Sequence, residues 1–462
     1  MQDHLMPTEP GPFLDRALLD TAPATGARLA SQAATQLDRV MSVGPFRGED
    51  KPIPLRPVFL PRQQYEALPR VARRLRRLMA AACHRRAATP RALAQALEWQ
   101  RPGPSLWTED MSQNRWALEM ARPDFVLRDG VPQLMEFNVN SAMGGTEQLP
   151  RMDRVYWSRP DIRDAAARWP MWSHDAWEER RRLILRAGRA MGRPRPAVAM
   201  LGWEEKAGYG SEEAFADVIA DLRSNGIPTF YVRPGELRVR GDHAYVGTNR
   251  IDIVLRTFVT ADADQGDIDL GPLREIVRRN AALVLSPEAC QLYSSKRAIA
   301  WLTEDAASGA LASADRRFIQ RHVPSTHVLR RDGNRLVSAS GGDLSGVLRE
   351  QEKWILKPFQ GHSADGIVTG LSCSEAEWNA VVEEAASRGT YIAQEFIESD
   401  TMEIPLYNPV DGTSSMVKSR CVLSPLLFGE ACGGILARHS GTNKGEIVNT
   451  GTGTMNSTFG WE

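Results

Sequence analysis

Charged and amide side chains recur at alternate positions in two neighbouring apolar segments near residue 130. The first segment carries Arg122 and Asp124, and the second carries Glu136 and Asn138. Between them, Asp129-Gly130 is typical of a two-residue β-hairpin turn. Because alternate residues of a strand share one face, Glu136 and Asn138 should lie on the same side, about 6.6 Å apart. The sequence therefore predicts a hairpin with one polar face.

The same hairpin predicts a site for a divalent cation. Folding back at the turn places Asp124 across from roughly Met135, within one residue of Glu136. Two carboxylates and one amide oxygen suit Mg²⁺, which prefers a few protein oxygens plus substrate phosphates. Arg122 shares the face of Asp124 and could hold a phosphoryl group or a carboxylate bidentately. The alternative is a surface hairpin with solvated charges, and four apolar neighbours favour burial instead: Phe125, Val126, Leu134 and Phe137.

A second candidate segment is WILKPFQGHSADGIV. A strand delivers Lys357, Pro358 ends regular pairing, and Gly361 and Gly366 bracket a polar loop whose backbone N–H groups can face an anion. Such a loop could close over the phosphates of a nucleotide. A structural hairpin with two glycines and an exposed lysine is the alternative.

The strand YIAQEFIES follows this loop and could contact the rest of a nucleotide. Its backbone can offer N–H and C=O groups to an adenine edge, while Glu395 or Glu398 reaches a ribose hydroxyl. We take Gln394, Glu395 and Ile397 as the candidate nucleotide-contacting residues. Solvated glutamates on an exposed strand face are the alternative.

Length and composition limit the number of structural units and the classes of protein that the chain can belong to. The 462 residues are too many for one ordinary core, and 42% apolar with 25% charged residues indicates a globular chain of two or three units. A formal net charge of +0 gives no global attraction to nucleic acid or to anionic membranes, and the basic run from Arg70 to Arg86 is typical of a solvated helix face.

Cysteine spacing and hydropathy add two exclusions. The five cysteines form no CxxC pair, which argues against a disulfide framework and a zinc site. No secretory leader or apolar run of membrane-spanning length stands out, so we expect a cytoplasmic protein.

Lysine is scarce in this chain. Only seven of the 57 basic residues are lysines, and two of these are Lys296 and Lys357. Where arginine is preferred almost everywhere, a lysine is more often selected for its compact point charge, although chance accounts equally well for any single one.

The order of elements predicts an α/β protein. Residues 1–95 show apolar spacing of three to four and should be helical. From Pro194 onward, short apolar strands alternate with helices, including a helix capped by Ser211 and ended by Gly226. This alternation predicts a small parallel sheet that is Rossmann-like in outline, but GxGxxG is missing after its first strand, so a dinucleotide site is not expected there.

At this point the residues resemble a known family. The pattern R-x-D, followed about a dozen residues later by L-x-E-[FY]-N, is similar to the magnesium hairpin of the ATP-grasp ligases of the glutathionylspermidine synthase type. S-x-K-x-x-x-x-x-L and K-P-x-x-G further along match as well. The matching residues are Arg122, Asp124, Leu134, Glu136, Phe137, Asn138, Ser294, Lys296, Leu302, Lys357, Pro358 and Gly361.

The resemblance implies a fold and a division of the chain. The fold would be a circularly permuted ATP-grasp fold with a Rossmann-like pre-ATP-grasp domain and a helical N-terminal region. The implied units are residues 1–95, the helical region; 96–192, part of the ATP-grasp core with the metal-binding hairpin; 193–290, the pre-ATP-grasp α/β domain; and 291–462, the ATP-binding lid with the remaining core.

The resemblance also implies site residues and cofactors. ATP and Mg²⁺ would bind here, with Lys296 and Lys357 on the phosphates and Asp124, Glu136 and Asn138 on the metal. In the tail, CGGILARHSG resembles the family's closing strands and makes Arg438 a candidate for phosphate or acyl phosphate contact. Arg420 and Glu403 are weaker candidates.

The expected activity is an ATP-dependent carboxylate–amine ligase that forms an amide through an acyl phosphate. Asn138-Val139-Asn140-Ser141-Ala142 stands where the family has N-A-D-T-P, so the ATP chemistry is expected without the polyamine and glutathione substrates. Small amino-acid-like substrates are expected, with no nucleic acid or membrane partner; a homodimer is left open. The alternatives are an ATP-grasp phosphotransferase, a catalytically inactive nucleotide-binding protein and a nucleic-acid-binding protein.

Overall fold

A mixed α/β architecture with several sheets is seen in the computed structural model of the chain. The structure describes residues 8–20, 23–41, 51–99, 106–139, 143–203, 211–260, 263, 268–361, 365–440 and 454–462. Within these ranges no helix combines the length and apolar character needed to cross a bilayer.

The strands are numbered in chain order. They are β1 (Ile53–Pro54), β2 (Val58–Pro61), β3 (Met120–Arg128), β4 (Val131–Asn138), β5 (Met171–Trp172), β6 (Val198–Leu201), β7 (Thr229–Val232), β8 (Arg238–Arg240), β9 (His243–Val246), β10 (Asn249–Ile251), β11 (Ile253–Arg256), β12 (Leu283–Leu285), β13 (Thr326–Asp332), β14 (Arg335–Ser338), β15 (Trp354–Pro358), β16 (Val368–Thr369), β17 (Tyr391–Glu395), β18 (Thr401–Asn408), β19 (Thr413–Phe428), β20 (Ala431–His439) and β21 (Thr454–Trp461).

The α-helices are numbered in the same way. They are α1 (Pro10–Asp15), α2 (Pro23–Met41), α3 (Arg62–Arg86), α4 (Pro90–Ala96), α5 (Met111–Asn114), α6 (Gln148–Ser158), α7 (Pro160–Ala166), α8 (Ala176–Ala190), α9 (Glu212–Ser224), α10 (Gly271–Arg279), α11 (Lys296–Ala307), α12 (Ser313–His322), α13 (Ser345–Arg349) and α14 (Glu375–Arg388).

The largest sheet brings together distant parts of the chain. Its main path runs β1-β18-β19-β20-β21-β2, β5 pairs with β21, and β3 attaches the β3–β4 hairpin to β19. The hairpin contact includes Phe125 opposite Leu423, and β2 runs parallel to β21 with Val58 opposite Thr458. Phe125 and Leu423 are fully buried, so the apolar face of the hairpin is anchored in the core.

Strands β1 and β2 correct the expectation that residues 1–95 are helical. The helices α1 to α4 lie there, but residues 53–54 and 58–61 are strands of the largest sheet. The segment KPIPLRPVFLP explains the difference, because its prolines break helical periodicity and its apolar residues fit a sheet edge. The division into domains stays a prediction.

A four-stranded parallel sheet follows the hairpin in sequence. Its order is β12-β11-β6-β7, and every pairing in it is parallel. Ser211 caps helix α9 as predicted: its side chain accepts a hydrogen bond from the backbone N–H of Ala214. Gly226 after the helix has a φ of 75°. The predicted alternation of strands and helices is thus confirmed for this region.

A five-stranded antiparallel sheet of order β14-β13-β17-β15-β16 carries the second group of candidate residues. Lys357 lies opposite Ile392, and Ile355 lies opposite Gln394. The buried Trp378 of α14 donates its indole N–H to Val347 O at 2.8 Å and so ties α14 to α13 on this sheet. A small antiparallel sheet, β10-β9-β8, lies between β7 and β11 in sequence.

The β3–β4 hairpin has the predicted turn but a different register. Asp129 and Gly130 have φ of 52° and 71°, as a tight two-residue turn requires. Asp124 lies opposite Glu136 and not Met135, because Phe125 pairs with Leu134 and leaves Met135 as an extra residue. This bulge, which sequence spacing does not reveal, aligns the two carboxylates directly.

The turn of the hairpin is held from outside by Asp400. Its carboxylate accepts hydrogen bonds from the backbone N–H groups of Asp129, at 3.0 Å, and Gly130, at 2.8 Å. We expect Asp400→Ala to lower the free energy of unfolding by about 1–2 kcal/mol, since both bonds have a charged acceptor. Asp400→Asn keeps one acceptor oxygen and should lose about half as much. Urea unfolding measures both, and equal stability of the three proteins would contradict this role.

Candidate functional site

The polar face of the hairpin consists of two pairs of residues that face each other across β3 and β4. Arg122 lies opposite Asn138, and Asp124 lies opposite Glu136. Phe137, on the other face, is buried in the core. The alternation of strand side chains therefore brings four of the predicted site residues together on one surface.

Asp124 is the most enclosed member of this group. It is only 3% exposed, yet each of its oxygens has two polar partners. Oδ1 accepts a hydrogen bond from Ser424 Oγ at 2.8 Å and lies 3.3 Å from Arg122 Nε. Oδ2 accepts from Asn138 Nδ2 at 3.0 Å and lies 2.6 Å from Arg438 Nη2.

These partners decide the charge of Asp124. Burial opposes ionisation, but the charges of Arg122 and Arg438 and the hydrogen bonds from Ser424 and Arg438 outweigh it, and the pKa of Asp124 lies below its ordinary value. The carboxylate is therefore a buried anion paired with two guanidinium groups.

Glu136 is paired with a lysine from another element. Lys296 is the first residue of α11, and its Nζ lies 2.9 Å from Glu136 Oε1 and 3.3 Å from Gly361 O. Burial raises the pKa of Glu136, and the positive charge of Lys296 more than offsets this, so that the pKa lies below its ordinary value. The side chain of Lys296 is 4% exposed and that of Glu136 is 29% exposed.

Lys357 also contacts the hairpin. Its Nζ donates to Met135 O at 3.0 Å and to Gln394 Oε1 at 2.6 Å. Burial lowers the pKa of Lys357 to about 8, and the nearby Lys296 charge acts in the same direction while Glu136 and Asp124 oppose it. The bulge at Met135 thus presents the carbonyl that holds this ammonium group.

The glycines of the predicted phosphate loop both adopt positive φ. Gly361 has a φ of 131° and Gly366 a φ of 69°, conformations in which a side chain is strained. Residues 362–364 lie outside the described residues. Gly361 lies at the site through its carbonyl contact with Lys296.

The three candidate nucleotide contacts lie in different surroundings. Gln394 is fully buried, bonded to Lys357, and its Nε2 donates to Thr326 Oγ1 at 3.0 Å. Glu395 pairs with Arg128 at 3.0 Å on the surface, which is the arrangement of a solvated glutamate. Ile397 is buried in a small apolar cluster with Val126 and Val422, partly covered by Met135.

The candidate residues from the C-terminal part of the chain also lie in different surroundings. Arg438 is 7% exposed and belongs to the site through Asp124. Arg420 lies 3.7 Å from Glu398, in a largely exposed pair. Glu403 is exposed and lies opposite Lys418 on β18 and β19, with no contact to Asp124 or Glu136 among the described residues.

Two groups at the site were not predicted from the sequence. Ser424 is a buried hydroxyl bonded to Asp124, and Gly144 O accepts a hydrogen bond from Arg122 Nη1 at 2.8 Å. For Ser424 a signal exists, because it is the one hydroxyl in the apolar run CVLSPLLF. A contact made by a backbone carbonyl, such as that of Gly144, has no signal in the sequence.

The oxygen atoms of the hairpin side chains fit Mg²⁺, but only a few of them are in a position to act as ligands. No group of three or more His, Cys, Asp or Glu side chains that could hold a metal occurs within the described ranges. Glu136 and the carbonyl oxygen of Asn138, whose Nδ2 is turned to Asp124, can each offer oxygen. Asp124 would have to exchange one of its four partners to act as a ligand.

Comparison with known proteins places the chain by its fold alone. No protein-family model matches the sequence, and no curated protein sequence matches it either. The mixed α/β fold is similar to that of a glutathione synthetase-like protein. That protein is the glutathione synthetase like-effector from Globodera pallida, with a TM-score of 0.60, 11% identity, and coverage of 95% of this chain and 97% of that one.

A second solved structure is less similar. It is a candidate gamma-glutamylcysteine synthetase from Methylobacillus flagellatus, with a TM-score of 0.42, 12% identity, and coverage of 89% of this chain and 90% of that one. At this TM-score the likeness carries no argument.

The ion pair between Lys296 and Glu136 should be measurable in the free protein. We expect Lys296→Met and Glu136→Gln each to lower the free energy of unfolding, with a coupling of about 1–3 kcal/mol in the double mutant, because each single change leaves a shielded charge without its partner. Thermal and urea unfolding of the four proteins checks this. The exposed pair Lys353–Glu350, at 3.2 Å, is the control and should show a coupling below about 0.5 kcal/mol. Equal coupling in both pairs would contradict the assignment.

Proposed function

We propose that this protein is an ATP-dependent carboxylate–amine ligase that forms an amide or peptide bond through an acyl phosphate on small amino-acid-like substrates. The proposal includes a circularly permuted ATP-grasp arrangement, with the hairpin in residues 96–192 and the ATP-binding lid in 291–462. It is supported by the likeness of the fold to a glutathione synthetase-like protein and by the residue patterns of the hairpin and the phosphate loop.

One observation carries the proposal. Two scarce lysines, from α11 and β15, place their ammonium groups on the same strand of the hairpin, at Glu136 Oε1 and at Met135 O. Their side chains are buried, so these positive charges are directed at the hairpin and not at bulk solvent. Paired carboxylates beside two convergent cations suit a metal–polyphosphate ligand better than a peptide or a nucleic acid.

Different residues would hold the phosphates of ATP and the metal ion. Lys296 and Lys357 would contact phosphate oxygens, and the backbone of the loop bracketed by Gly361 and Gly366 would cover them. Glu136, Asn138 and, after exchange of a partner, Asp124 would hold Mg²⁺. A Mg²⁺ ion held by these residues would supply positive charge that offsets the negative charge of the phosphates.

Nucleotide binding requires the ion pair of Lys296 and Glu136 to open. In the free protein each of these groups neutralises the other, at a separation of 2.9 Å. Once the pair opens, Lys296 could contact a phosphate oxygen, and Glu136 would be one of the residues that hold the cation. The exchange conserves charge balance in a site where an unpaired charge is costly.

The arginines would act on the reacting groups. A substrate carboxylate attacks the γ-phosphorus of ATP, giving an acyl phosphate and ADP; an amine then attacks the acyl carbon, and phosphate leaves. Arg122 and Arg438 would hold the negative oxygens that develop, a contribution on the order of 3 kcal/mol per donor in other enzymes. Closure of the loop would exclude water from the acyl phosphate.

The decisive experiment is a screen of pooled amino acids for amine-dependent ADP formation, with mass detection of the product. We expect ADP and an amide product only when acid and amine are both present. ADP formed without an amine, together with a phosphorylated acid that accumulates, would favour a phosphotransferase. ATP binding without any ADP would favour an inactive nucleotide-binding protein.

Glu136→Gln should fold but lose turnover by at least about 100-fold, because the neutral amide oxygen holds a divalent cation much more weakly than an ionised carboxylate does. The matched control is Glu395→Gln, a surface glutamate whose ion pair with Arg128 should matter little. ADP release and circular dichroism of both variants provide the measurement. Full activity of Glu136→Gln would exclude this residue from the metal site.

The pKa of Lys357, about 8, predicts a pH dependence of ATP binding. Phosphate contact needs the protonated ammonium, which is present below this pKa and lost as the pH rises through it. Affinity for a non-hydrolysable ATP analogue should fall about tenfold between about pH 7 and pH 9. Lys357→Arg stays charged and should show little change over that range. Calorimetry at several pH values checks this, and parallel curves for both proteins would contradict the role of Lys357.

A further inference from the structure

Ser424 joins three strands at the site. It lies on β19, is fully buried, and stands between Asp124 on β3 and Arg438 on β20. Its Oγ donates to Asp124 Oδ1 at 2.8 Å and accepts from Arg438 Nη2 at 3.2 Å. The same Nη2 lies 2.6 Å from Asp124 Oδ2. The three side chains therefore form a closed triangle.

The direction of each bond in the triangle is fixed by chemistry. A guanidinium only donates and an ionised carboxylate only accepts, so the single hydroxyl proton of Ser424 must go to Asp124 while its lone pair receives Arg438. This arrangement leaves no alternative rotor for the hydroxyl. It also fixes the Nη2 corner of Arg438 at two points.

Because Nη2 is held by Ser424 and Asp124, the position of the Nε atom of Arg438 is fixed as well. Its Nε is buried and has no hydrogen-bond partner among the described residues. A buried donor without a partner is costly in the free protein, and an anion placed beside it would supply the missing acceptor. Rigid placement matters here, because donors stabilise a developing charge only if they are in position beforehand.

We propose that Ser424 is a positioning residue for Arg438: it holds the guanidinium so that the unpaired Nε side faces the anionic oxygens of the acyl phosphate and of the transition states around it. This inference rests on the proposed ligase function. Ser424 acts through Arg438 and touches no substrate.

A neighbouring serine offers a matched control. Ser457 on β21 is also fully buried and donates a hydrogen bond to a carboxyl group, that of Asp153. Ser424 and Ser457 both lie opposite Leu436, one on each side of β20. Removing either hydroxyl should cost similar stability, but only Ser424 contacts an arginine of the site.

The test compares Ser424→Ala and Ser457→Ala, each in the otherwise unchanged chain and in Arg438→Lys. We expect Ser424→Ala to lower kcat for ADP release about tenfold with the KM for ATP within about twofold, the effect of losing roughly 1.4 kcal/mol in the transition state only. In the Arg438→Lys background, Ser424→Ala should change kcat by less than about twofold. Ser457→Ala should leave kcat within about twofold in both backgrounds.

A second measurement does not depend on turnover. Urea unfolding of the Ser424→Ala and Arg438→Lys variants, singly and combined, should show non-additive losses, whereas Ser457→Ala and Arg438→Lys should be additive. Unchanged kcat in Ser424→Ala, an equal tenfold loss in both backgrounds, or additive stabilities would each overturn the inference. A chain that neither binds ATP nor forms ADP would instead overturn the proposed function, and with it the positioning role of Ser424.

Discussion

The pairing of one buried carboxylate organises this structure. Asp124 is withdrawn from water, and an ion in that position is tolerated only when charges and hydrogen bonds replace the lost hydration. Its partners come from β3, β4, β19 and β20, so satisfying a single side chain requires all four strands in register. The geometry of the site is thus a consequence of the stability of the sheet.

The second level of organisation is an exchange of charges. Glu136 and Lys296 neutralise one another, and Lys357 rests on the carbonyl exposed by the bulge at Met135. These candidate ligand-binding charges are therefore held in internal contacts, and under the proposed function a ligand of matching charge would take over those contacts. Under the same proposal, a molecule with a single charge would compete poorly, because it cannot satisfy both members of the Lys296–Glu136 pair.

Local sequence signals predicted part of the fold and of the candidate site, and the remaining features depend on pairing between distant strands. The turn at Asp129-Gly130, the shared face of the hairpin residues and the cap at Ser211 each follow from a few adjacent residues. The bulge at Met135 does not, because the pairs Asp124–Glu136 and Phe125–Leu134 are evident only once the two strands are placed together. Ser424 was missed because an isolated serine in an apolar strand has no defined partner until the neighbouring strands are placed. The strands of residues 53–61 were missed for a related reason, their partners lying hundreds of residues away.

The parallel pair β2–β21 has a consequence for biosynthesis. Val58 faces Thr458, so β2 emerges from the ribosome long before the segment that completes it. Until β21 has been made, the backbone N–H and C=O groups of β2 lack their native partners. The native pairing of β2 can therefore form only after synthesis has passed residue 458.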